Sequence, residues 1–301
     1  MTPRKRIKFI SLFGKALGEF RKNDPLRMAG STAFFTTFAL PAVLIILIQV
    51  FGLVLTPRFM SRQLISNLGD VLGRNTAVEL HKTLINVRHL TSNWLETLLG
   101  FLFLIFVATT LLKVIKDSLN QLWNVRMGNH MGFKFDLRNR AKSFIVIIIA
   151  GLLFLIVLLT ESGVEMIQKN GNHSSIGQGL MARSSIRQVI SLVLVIVWFS
   201  ILFKFLPDAL PDWKTVIVGA GFTGFLFTLG KLLLQWLLSY SSMQTIYGAS
   251  TSSVLMLLFV FYSSFIFYYG ACFTKMWAEY QDKPIPPAKH AEKYEWAHVA
   301  A

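Results

Sequence analysis

Six stretches of this chain are each long and apolar enough to cross a bilayer as a helix, and that fact governs every other reading. They run over residues 30–55, 94–115, 143–163, 189–206, 213–238 and 250–278. About 20 apolar residues cross ~30 Å of hydrocarbon as a helix. Closed β-barrels are the other way to satisfy a backbone in lipid, but they read as alternating ten-residue strands, and these runs are continuous. A composition with 53% hydrophobic and only 15% charged residues agrees, since soluble domains carry about 25% charge. The expected fold is therefore all-α, a polytopic membrane protein with six transmembrane helices and some short amphipathic ones.

Charge sets the orientation. With the N-terminus inside, 21 of the 30 Lys and Arg residues fall on the inner side and eight on the outer, with Lys231 left inside a span. The positive-inside rule then places both termini in the cytoplasm. The net charge of +15 follows from this asymmetry and from anionic headgroups, so membrane lipids are the expected partners and nucleic acid is not. The basic N-terminus does not read as a signal peptide, because Lys15 interrupts the apolar stretch from Ile7 to Phe13, and the first twenty residues are expected to stay on the chain. The lone Cys272 excludes an internal disulfide framework and reads as a buried thiol.

Three regions follow. Residues 1–29 form a basic cytoplasmic segment, with Ile10, Phe13, Leu17 and Phe20 on one face of an interfacial helix over 7–22. Residues 30–278 hold the six spans, with 56–93 predicted to fold as a small external helical cap. Residues 279–301, with three prolines and mixed charges, predict a flexible cytoplasmic tail. No internal repeat is evident, although two inverted halves of three spans are topologically allowed.

Lys231 is the principal candidate for function. A lysine at the centre of a membrane helix costs about 2.5–3.5 kcal/mol to insert, so it faces protein or water. Steps of three and four residues connect Ala220, Gly224, Thr228, Lys231, Gln235 and Ser239 into one small and polar stripe. Two placements fit: an interior position, or snorkelling toward the external headgroups past Leu238. An interior ammonium needs a partner, and Glu96, Glu161 and Glu165 lie at the same level, the first two being preferred. The alternative to a static ion pair is contact with an anionic substrate.

Other candidates are weaker. Pro41 in the first span leaves the Thr37 carbonyl without its helical donor and predicts a kink. Asn120 and Trp123 share a helical face; Trp123 suits a membrane-interface anchor, and Asn120 a cap or interhelical bond ahead of a ligand contact. Tyr247 and Gly248 precede the polar start of span 6, which could receive an anion or be capped by Ser or Thr.

GAGFTG at 219–224 matches a dinucleotide-binding fingerprint literally, but no acidic residue follows at the required distance, and its glycines fall inside a span where they allow close packing. The six histidines are scattered, so no metal, cofactor or enzymatic chemistry is expected.

Several stretches, in order, carry a resemblance: MAGSTAFFTTFALPAVLII in the first span, SLNQLWNV at 118–125, KFLPD at 204–208, LFTLGK at 226–231, YGAS at 247–250 and FYSSFIFYYGACFT at 261–274. Over roughly 24–280 the chain resembles the bacterial YihY/BrkB family of inner-membrane proteins, once mislabelled ribonuclease BN. The resemblance implies a six-helix inner-membrane protein without a settled activity, in a family linked to serum resistance and envelope lipids. The expected function is a transporter or flippase-like protein for an amphipathic or anionic envelope component. The alternative is a structural or regulatory membrane subunit.

Overall fold

The computed structural model describes residues 9–52, 94–128, 178–239 and 251–294. They form six helices: α1 (Phe9–Lys22), α2 (Pro25–Gly52), α3 (Trp94–Leu122), α4 (Gln178–Phe205), α5 (Trp213–Ser239) and α6 (Thr251–Tyr280). Two short strands, β1 (Val125–Met127) and β2 (Ala291–Lys293), pair antiparallel with Val125 opposite Lys293 and Met127 opposite Ala291.

Local chemistry explains where the helices stop. α1, α3 and α6 are each followed by an Asp or Asn in the left-handed region: Asp24, Asn124 and Asp282, with φ of 51°, 56° and 58°. These are the non-glycine residues that adopt this conformation most readily. After α6 the Lys283 amide donates to the Ala278 carbonyl and that of Asp282 to Glu279, the two bonds of a Schellman cap. α2 begins with Pro25, whose missing amide proton costs nothing at the first helical position. α4 ends where Pro207 and Pro211 prevent continuation. Asp212 then opens α5, its carbonyl accepting from the Val216 amide.

α6 is the central helix, packing against α1, α2, α3 and α5, while α4 packs on α5 and α2 on α3. Their shared core stacks Phe203 on Phe267 at 5.2 Å and Phe199 on Phe267 at 5.8 Å, beside buried Trp123. Outward faces stay apolar: Phe106, Phe225, Leu233 and Trp236 are about 60% exposed, as on surfaces that face hydrocarbon. Among the described residues, Gln188–Phe205, Trp213–Leu234 and Ser253–Tyr280 are long and apolar enough to cross a membrane. The expected spans at 30–55 and 94–115 fall largely on α2 and α3. The run at 143–163 and the cap at 56–93 lie outside the described residues.

Two expectations need correction. α1 buries Leu12 and Ala16 together with Phe20 of the expected face, Phe13 of that face also packs against the core, and Leu17 of it, 46% exposed, points away. The cause is docking onto α6: Phe20 meets the rings of Phe265 and Tyr269, and Phe13 meets Phe273, while the small Ala16 lets the backbones approach. The tail is also ordered as far as Tyr294. Residues 281–294 form a strap that places Ile285 in the core and adds β2 to β1. Along it the Leu210 amide donates to the Pro286 carbonyl and the Ala288 amide to the Asp208 carbonyl, both at 2.9 Å. Its prolines suit this role, because a fixed φ reduces the entropy lost on docking.

Candidate functional site

The densest polar constellation among the described residues surrounds Asp208, in the turn between α4 and α5. Its side chain is 5% exposed. Oδ1 receives Lys116 Nζ at 2.8 Å and lies 2.9 Å from His290 Nε2, while Oδ2 accepts from Asn120 Nδ2 at 2.9 Å. The Asp208 amide donates back to Asn120 Oδ1 at 2.8 Å. Lys116 and Asn120 are four residues apart and so share one face of α3. Burial pushes the Asp208 carboxyl up, but hydrogen bonds from Lys116 and His290, the Lys116 charge and the Asn120 amide outweigh it and hold it below its ordinary value. The carboxylate thus ties together α3, the α4–α5 turn and the strap.

A second cluster lies at the same end of the bundle. Lys275 of α6, 9% exposed, contacts Glu19 Oε1 of α1 at 2.5 Å and Asn124 Oδ1 at 2.8 Å. Beside it Trp123 Nε1 donates to the Ala271 carbonyl at 3.0 Å. Trp123 is 1% exposed and is therefore a buried strut, which corrects the expectation of a membrane-interface anchor. Deeper in, the hydroxyls of Thr32 and Tyr268 meet at 2.6 Å.

The stripe on α5 divides into two parts. Ala220 is fully buried, and a β-carbon on Gly224 would stand 2.9 Å from Ile196 of α4, so this part is packing surface. Thr228 donates to the Gly224 carbonyl at 2.9 Å. Lys231 lies two turns beyond Gly224 on the same helical face and is half-buried. No hydrogen bond or ion pair joins it to another described residue. The side chains of Glu96 and Gln235 and the whole of Glu161 and Tyr247 lie outside the described residues. In α2 the helix runs unbroken through Pro41, and Thr37 Oγ1 donates to the Ala33 carbonyl at 2.9 Å. Asn120, for which a cap or a bond between helices was preferred, bonds to Asp208 in the α4–α5 turn, and among the described residues no hydrogen bond or ion pair connects it to Lys231.

A family model described as virulence factor BrkB matches residues 16–295. The chain belongs to the BrkB family. Among curated relatives of this BrkB-family chain, a UPF0761 membrane protein of Mannheimia succiniciproducens is 23% identical over 273 residues, covering 87% of this chain and 88% of the relative. A UPF0761 membrane protein of Histophilus somni is 24% identical over 263 residues, covering 83% and 85%. One of Psychrobacter is 23% identical over 250 residues, covering 82% of this chain but 44% of its own. No solved structure matches. The BrkB-family protein is an integral membrane protein.

Sequence reasoning missed Asp208, Lys116 and His290, and also Lys275, Glu19 and Asn124. A signal was present. SLNQLWNV carries Asn120 and Asn124, KFLPD carries Asp208, and the structure bonds these two motifs to each other across 88 residues.

Proposed function

We propose that this BrkB-family protein is a six-span inner-membrane protein, both termini cytoplasmic, that moves an amphipathic or anionic envelope component along a path lined by α2, α5 and α6 without chemistry on the cargo. One observation carries this reading. Lys231 is a half-buried cation on a strongly apolar helix and has no partner among the described residues. An ammonium in that position favours an anionic headgroup, because an unpaired charge in low dielectric is costly. The test is reconstitution in liposomes with a labelled anionic phospholipid. Wild-type protein and Lys231→Arg accelerate its movement between leaflets, and Lys231→Met does not. Equal rates for wild type and Lys231→Met would remove Lys231 from the mechanism.

A second reading, a structural or regulatory subunit, draws on the other part of the molecule. Gly224 is packed against α4, and every oxygen of the Asp208 carboxylate is taken by internal donors, which is how a clasp is built. On this reading no phospholipid moves in the same liposomes with any variant.

A further inference from the structure

The chain contains one pentapeptide nearly twice: GAGFT at 219–223 in α5 and GACFT at 270–274 in α6. It is far shorter than a span, so a search for repeated spans passes over it. The structure places the two copies face to face. A β-carbon on Gly219 would stand 2.8 Å from Thr274 Cβ, and one on Gly270 would stand 2.8 Å from Thr223 Cβ. Both approaches are too close for any residue but glycine. Each threonine turns its hydroxyl onto the glycine of its own helix, Thr223 to the Gly219 carbonyl at 2.7 Å and Thr274 to the Gly270 carbonyl at 2.8 Å. Ala220 and Ala271 are both fully buried.

The rings repeat the relation. Phe222 and Phe273 meet each other at 4.1 Å, and Phe13 of α1 lies 5.5 Å from the first and 5.4 Å from the second. The third position, where the copies differ, is open space at Gly221, while Cys272 is buried. The identity is thus confined to the sides that face each other.

We infer that α5 and α6 are locked by a local two-fold exchange of glycine and threonine into a single rigid pair, across whose axis α1 docks through Phe13. Antiparallel helices that swap a small residue for a branched one at two matched points cannot slide without driving Thr into backbone, so the pair has one register. Conformational change in this protein then occurs at the boundaries of the pair with α2 and α4, not within it.

The test needs no transport activity. In detergent-solubilised full-length protein, Gly219→Ala and Gly270→Ala each lower the unfolding midpoint by about 2–6 °C, and the control Gly221→Ala does not. Against a Thr274→Gly background the Gly219→Ala shift disappears, and Thr223→Gly does the same for Gly270→Ala. The same-helix combination of Gly219→Ala with Thr223→Gly shows no such relief. Relief at one site only, or from the same-helix partner, overturns the two-fold exchange. Should the alanine variants not fold, Thr223→Ala and Thr274→Ala only delete atoms, and they must shift the midpoint equally to within about 1 °C; unequal shifts overturn it as well. Rigidity is read from spin labels at the exposed Ile217 and Leu257 in lipid nanodiscs. One narrow distance distribution is expected with and without added anionic lipid, and two populations would refute it.

Discussion

Replacing Asp208 by alanine removes the carboxylate to which α3, the α4–α5 turn and the strap are all tied, and its surroundings set the magnitude. Asp208 is 5% exposed and its partner Lys116 only 13%, so the substitution leaves a largely buried ammonium without the carboxylate it meets at 2.8 Å. Breaking a buried pair in this way costs about 3–5 kcal/mol. Asn120 and His290 also lose their acceptor, which keeps the loss from falling below the lower end of that range. For a chain of this length the shift is about 2 °C of midpoint per kcal/mol, so roughly 6–10 °C is expected. Asp208→Asn keeps the shape and one acceptor oxygen and loses about half as much. Thermal unfolding followed by tryptophan fluorescence in detergent measures both. An alanine variant that unfolds within ~1 °C of wild type would refute the reasoning, because it would mean that the carboxylate is solvated and the three segments are held by apolar contacts alone.

Further outcomes follow from the same geometry. The Asp208 carboxyl is held below its ordinary value of 3.8, so its stabilisation is complete above that value and is lost as pH falls through the lower folded one; the wild-type midpoint should drop more steeply below about pH 4 than that of Asp208→Asn. Glu19→Ala strands Lys275 beside Asn124 and should destabilise by ~3 kcal/mol, whereas Lys275→Met leaves a Glu19 side chain that is 20% exposed and can hydrate, costing less; the order of the two midpoints checks this. Trp123→Phe removes the donor to Ala271 and should cost ~1 kcal/mol, read from the same curves. Ending the chain after Tyr280 removes His290 and the buried Ile285 and should make the α4–α5 turn a site of rapid limited proteolysis.

The helical architecture was legible because long apolar runs have few ways to exist in lipid: the ends of α5 and α6 fell within a few residues of those expected, and α3 starts where expected but runs on to Leu122 instead of stopping at 115. The docked face of α1 was legible only in Phe13 and Phe20, since Leu17 and Leu12 are equally apolar and only the shape of α6 chooses between them. The strap was misread for a related reason. Three prolines in a polar segment signal disorder when nothing is known of a receiving surface, yet the same prolines preorganise a chain that has one. Asp208 and His290 could not be paired by spacing, because 82 residues separate them and only the return of the strap brings them together. Lys231 was legible as an anomaly, because a charge inside an apolar span is costly wherever its side chain goes.

The strap also has a consequence for biogenesis. Residues 281–294 are synthesised after every helix they secure, so the Lys116–Asp208–Asn120 bonds can already join α3 to the α4–α5 turn before His290 and the strap arrive to close over them. Closure of that end by the strap therefore comes after α3 to α6 have been made, and a chain stalled before His290 would leave helices that this segment has never latched.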